Sequence, residues 1–244
     1  MDGGYLSRAE SAVISDVINS FIPELSIAPE LHRTKIASLH SFLESDLGVQ
    51  LPLHISLSAP VVLQTDQRTT FQEMFQDSIR ETRVRPFHAS IAGIGWVPNF
   101  DRSRWFLVLR LGKPAGDELN RLLFASNECV KSFGLRTLYD EGGKDCLNSS
   151  PTASESTSSA KERDKKGHGT SPSSDRTTSF HISIAWQLDE PTYRQKEIQI
   201  GEERLGMAVG LKIDFNCVKL KIGNAVVDIP LFVNLEDGTG FGRA

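Results

Sequence analysis

Cysteine is scarce in this chain, and no two cysteines have the spacing of a metal-binding or redox motif. Cys129, Cys146 and Cys217 are the only three among 244 residues. Structural zinc sites are usually built from close pairs such as C-x-x-C, so this spacing argues against a zinc site. An odd and sparse cysteine count is typical of proteins in a reducing compartment, where disulfides are rare.

Long apolar runs and an excess of positive charge are also missing. No stretch approaches the ~20 apolar residues of a membrane span, and the N-terminal MDGGYLSRAE lacks the regions of a secretory signal. Lys and Arg number 27 against 31 Asp and Glu, a formal charge of −4, which disfavours a protein that coats duplex nucleic acid. A small nucleotide pocket is still compatible with this charge. We therefore expect a soluble intracellular protein without membrane contact, and nothing demands more than a monomer.

Apolar residues recur with helical and strand periods over most of the chain. Its 244 residues, 39% of them hydrophobic, suffice to bury the core of one domain with two intimate lobes. Since the predicted strands often follow one another as hairpins, the pattern favours an α+β fold with antiparallel sheets. The predicted helices cover residues 7–20, 29–47, 69–81, 117–133 and 195–206, and the predicted strands cover 51–63, 84–97, 104–111, 180–186, 212–223 and 224–233.

One segment, residues 141–178, does not follow these periods. It is rich in Ser, Thr, Gly and charged residues and has almost no apolar side chains. Burial of such a segment cannot offset the entropy that is lost when it becomes ordered. We predict that it is a disordered insertion within a single domain that spans residues 1–244.

A repeated His-x-Ser tripeptide is the candidate catalytic motif of this sequence. It occurs inside two apolar alternations, L-H-I-S-L and F-H-I-S-I. In a strand, residues i and i+2 face the same side, so His54 would share a face with Ser56, and His181 with Ser183. A surface that presents His and Ser from each of two strands is a candidate polar cleft.

Two histidines and two serines suit the cleavage of an RNA phosphodiester. The 2′-OH of RNA supplies the nucleophile, one neutral imidazole can accept its proton, and a second, as imidazolium, can protonate the departing 5′-oxygen. Ser56 and Ser183 would donate hydrogen bonds to the non-bridging phosphate oxygens. We predict His54 and His181 as the acid–base pair, with either one as the base, and no metal ion or other cofactor.

A single His-x-Ser tripeptide is common in strands and is usually structural, so the matched pair is the informative signal. A third copy, His88-Ala89-Ser90, follows Pro86 and has a small residue at its centre. Because its centre is the small Ala89, where the other two copies have Ile, we interpret it as lying outside the catalytic site.

The two motifs resemble the signatures of the 2H phosphoesterase superfamily and, within it, of the Usb1/Mpn1 family of U6 small nuclear RNA phosphodiesterases. H-I-S-L at residues 54–57 and H-I-S-I-A-W at residues 181–186 are similar to the family's catalytic motifs. N-F-D-R-S-R-W-F-L resembles a family strand, and K-I-G-N resembles the turn before its last strand. The resemblance covers about residues 30–140 and 179–235.

The resemblance implies a bilobal 2H phosphoesterase (LigT-like) fold, in which two pseudo-symmetric lobes with antiparallel sheets flank a central cleft. It implies 3′-to-5′ trimming of the oligouridine tail of U6 RNA in the nucleus, with a 2′,3′-cyclic phosphate or 3′-phosphate end as product. It also implies that Tyr139 stacks on a substrate base, a contact worth ~1–3 kcal/mol; a tyrosine packed on the surface is the alternative. The family's opening G-N-W-x-x-H-V-Y strand has no counterpart before residue 30, so we expect one sheet to lack a strand.

Two other functions fit the same residues. A 2H cyclic phosphodiesterase would act on small cyclic nucleotides or transfer-RNA ends, and its preference for short substrates would distinguish it from the exonuclease. A catalytically inactive RNA-binding scaffold would need no acid–base pair, so the presence of both histidines and both serines argues against it.

Overall fold

The computed structural model describes residues 4–22, 39–139, 175–191, 206 and 208–233. No helix within these ranges is both long and apolar enough to cross a membrane. The predicted α+β class with antiparallel sheets is confirmed. The helices are α1 (Arg8–Ser20), α2 (Gln67–Glu81) and α3 (Glu118–Ser132), with a 3-10 turn at Thr177–Ser179, and the strands are β1 (His40–Ser41), β2 (Phe87–Pro98), β3 (Trp105–Leu111), β4 (His181–Gln187), β5 (Lys212–Phe215), β6 (Cys217–Ile222) and β7 (Ala225–Pro230).

Local sequence signals account for α1. Ser7 Oγ accepts a hydrogen bond from the Glu10 N–H at 3.3 Å, and the Glu10 carboxylate accepts one from the Ser7 N–H at 2.7 Å, which together form a capping box. Ile14, Val17 and Ile18 then fall on one side of the helix and are buried. The helix predicted here is confirmed.

α2 and α3 form where the helical period predicted them, but their N-termini differ from the prediction. α2 begins at Gln67, two residues before the expected threonine cap. At α3, Asp117 occupies the N-cap position with a φ of 56°, yet its side chain makes no capping bond to the helix backbone. The Asp117 carboxylate instead accepts from Asn120 Nδ2 at 2.6 Å. Gly134, with a φ of 68°, follows the end of α3 as predicted.

A five-stranded antiparallel sheet in the order β1-β4-β3-β2-β5 forms the main layer. β2 and β3 form the predicted hairpin, and Asn99 closes its turn: the Asn99 N–H donates to the Arg104 carbonyl at 2.9 Å, and Asn99 Oδ1 accepts from the Arg104 N–H at 3.0 Å. β3 and β4 lie inside the sheet, and their inward residues Leu107, Leu109 and Ile182 are at most 1% exposed.

Two apolar cores hold these elements together. The first contains α1 and one face of the five-stranded sheet, and the second contains α2, β6 and β7. α3 joins both, because Leu119 and Leu123 enter the first core while Leu122, Cys129 and Val130 enter the second. The division into two pseudo-symmetric lobes stays a prediction, which the presence of two cores supports.

The C-terminal strands are divided differently from the prediction. We expected two strands with a turn between them, whereas the structure has three: β5 joins the five-stranded sheet, and β6 pairs with β7 as a separate hairpin. The chain changes sheets at Asn216, whose carbonyl accepts from the Leu231 N–H at 2.9 Å. The buried positions change phase here, from Ile213 in β5 to Val218 and Leu220 in β6. This change of phase is visible in the sequence and marks the division.

The helix predicted over residues 29–47 is wrong wherever the structure describes that range. Residues 23–38 lie outside the described residues, and β1 pairs with β4 instead of continuing a helix. The turn after β1 is favoured by Ser41, whose Oγ accepts from the Leu43 N–H at 3.0 Å. Such local side-chain bonds compete with helix formation, and the edge of β4 offers the backbone another partner.

Most of the predicted disordered insertion lies outside the described residues, as does most of the helix predicted over residues 195–206. At residues 175–178 the prediction of disorder is wrong, because these residues are bound to neighbours. The Thr177 N–H donates to Asp175 Oδ1 at 2.9 Å, and the Arg176 N–H donates to Asn120 Oδ1 at 2.9 Å. Asn120 on α3 therefore adds a long-range bond to a local one, and together they order residues whose composition predicts disorder.

Shortening a buried side chain of β3 should weaken the first core. Leu107 is fully buried, so Leu107→Ala should lower the free energy of unfolding by about 2–5 kcal/mol through lost burial and the cavity that remains. Leu47 is 90% exposed, so Leu47→Ala is the matched control and should change stability by less than ~0.5 kcal/mol. Urea denaturation followed by circular dichroism measures both, and equal values for the two variants would contradict the assigned core.

Candidate active site

The second His-x-Ser motif lies on β4, with both polar side chains on the outward face of the five-stranded sheet. His181 and Ser183 are half-buried, whereas Ile182 between them is buried in the first core. β4 pairs with β3 so that His181 lies opposite Arg110 and Ser183 lies opposite Val108. The face that the period-2 pattern predicted is therefore present, and it includes a guanidinium from the neighbouring strand.

A β-bulge in β4 adds an aromatic side chain to this face. Ala185 pairs with Leu107 and Ser183 pairs with the next residue of β3, so Ile184 is the extra residue on β4. An extra residue shifts the alternation by one position. Trp186 consequently faces outward, on the same side as Ser183, and is half-buried.

Trp186 is held between two planar groups. The His40 ring stacks on the indole with ring centroids 4.4 Å apart and an interplanar angle of 19°. The Arg104 guanidinium lies 4.2 Å from the indole centroid, within the range of a cation–π contact. Because these groups come from β1 and from the turn before β3, three elements fix Trp186 on the outward face of β4, five residues beyond His181.

A backbone carbonyl orients the His181 ring. Nδ1 lies 2.7 Å from the Ser179 carbonyl oxygen. A carbonyl can only accept a hydrogen bond, so Nδ1 carries a hydrogen in both protonation states of the ring. Nε2 is therefore the atom of His181 that can gain or lose a proton.

Burial and a neighbouring charge favour the neutral form of the His181 ring. Desolvation lowers the pKa of His181 below its ordinary value; the hydrogen bond to Ser179 opposes this effect, and the Arg110 guanidinium adds to it. Arg110 is held in place by a hydrogen bond from Nη1 to the Thr178 carbonyl at 3.3 Å. A neutral imidazole with Nε2 unprotonated can accept a proton from a substrate hydroxyl.

Tyr139 reaches the same carbonyl as His181. Its hydroxyl donates to the Ser179 carbonyl at 3.0 Å, and its ring meets the Phe180 ring edge-on at a centroid distance of 6.2 Å. Burial raises the pKa of the Tyr139 hydroxyl. Tyr139 also borders a pocket of about 180 Å³ beside Asn127. Base stacking by Tyr139 stays a prediction, and the structure adds a bond from its hydroxyl to the backbone that orients His181.

An ion pair and a buried amide hold the chain just before β4. Lys113 Nζ lies 2.8 Å from Asp175 Oδ2, and this bond holds the pKa of the Asp175 carboxyl well below its usual range. Asn120, which is 6% exposed, donates from Nδ2 to Asp175 Oδ1 at 3.1 Å and accepts from the Arg176 N–H at 2.9 Å. Because Asn120 lies on α3 and Lys113 follows β3, two separate elements fix the approach to His181.

The first His-x-Ser motif does not lie on a strand, so the prediction of a strand there is wrong. Residues 51–64 form neither helix nor strand. Pro52 has no N–H to give to a ladder, and the Leu53 N–H donates to the Gly4 carbonyl at 2.8 Å. The backbone of this segment is therefore bound to a neighbouring turn rather than to a strand.

The predicted alternation of burial nevertheless holds around His54. His54 and Ser56 are exposed, whereas the apolar residues of this segment pack on the core that includes β4. The Ser126 hydroxyl of α3 donates to the Leu57 carbonyl at 2.7 Å. Within the described ranges, no hydrogen bond joins His54 to His181. The two histidines are thus carried by segments that share a core. The apolar residues of this segment are Leu53, Ile55 and Leu57.

Several groups that shape the site were not predicted from the sequence. Arg110 stands within the apolar run of β3, and a charged residue in such a run is a signal that could have been read. The Ser179 carbonyl had no signal, because side-chain patterns do not reveal backbone acceptors. Asn120 fits the helical pattern of α3. Its partners lie 55 and 57 residues further along the chain, and sequence spacing could not identify them. In the part of the chain that the structure describes, no group of three or more His, Cys, Asp or Glu residues could hold a metal ion.

A family model matches almost the whole chain. The family is described as HVSL, an uncharacterised conserved protein, and the match spans residues 4–230. That range contains both predicted catalytic motifs and every described strand.

Two curated relatives share a name. U6 snRNA phosphodiesterase 1 of Neurospora crassa is 24% identical over 254 residues, which cover 92% of this chain and 60% of that protein. U6 snRNA phosphodiesterase 1 of Drosophila melanogaster is 24% identical over 202 residues, which cover 80% of this chain and 60% of that protein. The chain therefore spans about three fifths of the length of the curated relatives it matches.

Two solved structures of Usb1 from Kluyveromyces marxianus have a similar fold. One aligns with a TM-score of 0.54, and the other, which contains uridine monophosphate, aligns with 0.55. Each comparison covers 93% of this chain and 94% of the other at 16% sequence identity. At this identity the likeness establishes the fold, which agrees with the α+β architecture described above.

Removing the charge beside His181 should make its ring easier to protonate. Arg110→Gln deletes the positive charge that disfavours imidazolium, so the pKa of His181 should rise toward the ordinary value of about 6.5. The titration of the His181 ring protons by NMR measures this change. Arg68→Gln on α2 is the control and should leave that titration unchanged, and an unshifted or lowered His181 titration in Arg110→Gln would show that the guanidinium does not act on the ring.

Proposed function

Since the chain belongs to the HVSL family, whose model matches residues 4–230, we propose that it is a 3′-to-5′ RNA phosphodiesterase. Its substrate would be the oligouridine 3′ tail of U6 small nuclear RNA. The observation that carries the proposal is the His181 ring: burial lowers its pKa and so favours the neutral form, and the hydrogen bond from Nδ1 to the Ser179 carbonyl leaves Nε2 as the atom that exchanges a proton. The names of both curated relatives and the uridine monophosphate in one Usb1 structure support the choice of substrate.

In the proposed reaction, His181 is the base. Nε2 of the neutral ring accepts the proton of the 2′-OH, the 2′-oxygen attacks phosphorus, and the bond from phosphorus to the 5′-oxygen breaks. His54, which solvent reaches, is then the acid that protonates the departing 5′-oxygen. The remaining RNA ends in a 2′,3′-cyclic phosphate, and attack by water on that ring would give a 3′-phosphate. No metal ion or other cofactor enters this scheme. The first step consumes no water and is that of a lyase, whereas the second consumes water and is that of a hydrolase.

Hydrogen-bond donors around the two histidines would stabilise the transition state. Ser183 shares the outward face of β4 with His181, and Ser56 is exposed two residues after His54. Their hydroxyls can donate to the non-bridging phosphate oxygens as negative charge develops there. Arg110 lies opposite His181 on β3, where its guanidinium adds a positive charge beside the same oxygens.

The proposed setting follows from the substrate. U6 RNA processing would place the protein in the nucleus, where it would act in maturation of the splicing machinery as a monomer on RNA. A 2H enzyme for small cyclic nucleotides and an inactive RNA-binding scaffold would share the fold. A preference for short substrates would distinguish the first from the proposed exonuclease, and the absence of cleavage would distinguish the second.

Loss of either histidine should abolish cleavage. Purified protein incubated with 5′-labelled decauridylate in EDTA should shorten it stepwise from the 3′ end, whereas His54→Ala and His181→Ala should each lose at least ~10²-fold in rate. His168→Ala is the control, since no role is assigned to that histidine. The chemical form of the product end shows whether the cyclic phosphate is opened. If folded wild-type protein leaves the RNA intact, the scaffold function takes the place of this proposal, and a preference for dinucleotides would favour the cyclic phosphodiesterase.

Two substitutions test the roles of the Tyr139 ring and of its hydroxyl separately. Tyr139→Phe keeps the ring but removes the donor to the Ser179 carbonyl, so it should lower kcat and shift the pH profile while KM for decauridylate stays constant. Tyr139→Ala also removes the predicted stacking surface, so it should raise KM by roughly 5- to 150-fold, the equivalent of ~1–3 kcal/mol. If Tyr139→Ala leaves KM unchanged, the stacking prediction fails, and if Tyr139→Phe matches the wild type, the hydroxyl has no positioning role.

A further inference from the structure

The third His-x-Ser tripeptide lies on the same sheet as the second. β2 pairs with β5 so that His88 is opposite Asp214 and Ser90 is opposite Lys212. All four side chains are exposed, whereas Ala89 on the other face of β2 is buried. The tripeptide therefore presents an imidazole and a hydroxyl outward, as the motif on β4 does.

β3 connects the two motifs across the sheet. The Gly112 N–H donates to the Ser90 carbonyl at 2.8 Å, which places Ser90 beside Gly112. Gly112 is two residues beyond Arg110, and Arg110 pairs with His181. Because residues two apart on a strand share a face, His88 and Ser90 lie on the surface that carries His181.

Strand geometry sets the distance between the two motifs. Two strand spacings, about 10 Å, and two residues along the strand, about 7 Å, separate Ser90 from His181 by roughly 12 Å. A stacked nucleic acid strand rises about 3.4 Å per nucleotide. The separation corresponds to roughly three or four stacked nucleotides, and to fewer if the chain is extended.

Glycines surround Arg110 on the surface that joins the motifs. Gly93 pairs with Arg110, and Gly95 with Val108. Neither these glycines nor Gly112 has a positive φ, so residues with a side chain could adopt the same backbone conformation. A Cβ on Gly93 would meet no atom within 4 Å, so packing does not exclude a side chain there. A Cβ on Gly112 would lie 2.9 Å from Ser90 Oγ and would displace that hydroxyl. Glycine inside a strand often marks a close approach of another backbone.

The charges on this surface suit an anionic ligand. Arg110 and Lys212 contribute cations, and Asp214 contributes a carboxylate opposite His88. Asp214 is opposite His88 on the ladder, at a spacing where side chains can interact, and the two cations outnumber this one carboxylate. Ser90 adds a hydroxyl donor next to Lys212.

We infer that His88, Ser90 and Lys212 form a second phosphate subsite, which binds the backbone of single-stranded RNA upstream of the bond cleaved beside His181. The identity of the ligand rests on the proposed function. An RNA chain that reaches both motifs gains these contacts, whereas a dinucleotide at the cleavage site does not. The third tripeptide thereby acts in binding rather than in chemistry and makes affinity depend on chain length.

The test compares long and short substrates in three variants. His88→Ala, Ser90→Ala and Lys212→Ala should each raise KM for decauridylate by roughly 2- to 12-fold, as expected for one net hydrogen bond, and leave kcat and the KM for diuridylate unchanged. Lys212→Ala should also reduce the slope of log affinity against log salt by about 0.7, the share of one phosphate contact on a single strand. Lys221→Ala, an exposed lysine on β6 in the other sheet, is the matched control and should change none of these values.

A second variant tests the surface between the motifs without removing a charge. Gly93→Val adds a β-branched side chain at a position where a Cβ meets open space, so Tm should not fall. KM for decauridylate should nevertheless rise, because the new side chain would stand in the way of the RNA backbone. Unchanged KM in Gly93→Val would overturn the path across this surface.

Binding to a catalytically disabled protein separates the subsite from the proposed function. The affinity of His181→Ala for decauridylate, measured by fluorescence anisotropy, should fall when Lys212→Ala is added. If the wild type does not cleave RNA but this fall is observed, the subsite stands and the catalytic proposal fails. If the wild type cleaves RNA and all three variants match it, or if Lys221→Ala loses as much as Lys212→Ala, the subsite inference is wrong.

Discussion

The pairing of β3 with β4 is the constraint on which the candidate site depends. It places Arg110 beside His181, and the bulge at Ile184 brings Ser183 and Trp186 to one face. The inward side chains of the same two strands are among the most completely buried in the described chain. Central strands of this kind open only with global unfolding. The outward polar face is therefore built on the most stable layer of the fold, which suits a site whose geometry must not drift.

Backbone carbonyls just before β4 orient the His181 imidazole on this stable layer. The Ser179 carbonyl accepts from both His181 and Tyr139, and the Thr178 carbonyl accepts from Arg110. Partners of a ring nitrogen determine which nitrogen can exchange a proton, so these bonds make Nε2 of His181 the reactive atom. His54 is held differently, by apolar neighbours that enter the core while its own side chain is exposed. This contrast between a half-buried ring with a lowered pKa and a solvent-exposed ring favours the proposed division into base and acid.

Sequence reasoning predicted the elements for which local pattern and tertiary context agree. The three long helices and the β2–β3 hairpin show their periods clearly, and the cores bury the faces that those periods define. The alternation at residues 51–63 also predicted burial correctly but predicted a strand wrongly, because the Gly4 carbonyl and the Ser126 hydroxyl take the place of a ladder partner. The helix predicted over residues 29–47 failed at β1, where the edge of β4 competes for the backbone. At the third His-x-Ser tripeptide, the motif alone did not show that it shares a surface with the second.

The sequence by itself determined the residue types of the site, the face on which His181 and Ser183 stand, and the resemblance on which the proposed RNA chemistry rests. These follow from spacing of two or three residues, which is a local property of the chain. Only the tertiary structure decided that Arg110 lies opposite His181, that Tyr139 reaches the Ser179 carbonyl 40 residues away, and that His88 and Ser90 lie two strands from His181 on one surface. These spatial relations are set by strand register, by bulges and by backbone acceptors. They depend on which strands become neighbours, and no short stretch of sequence contains that information.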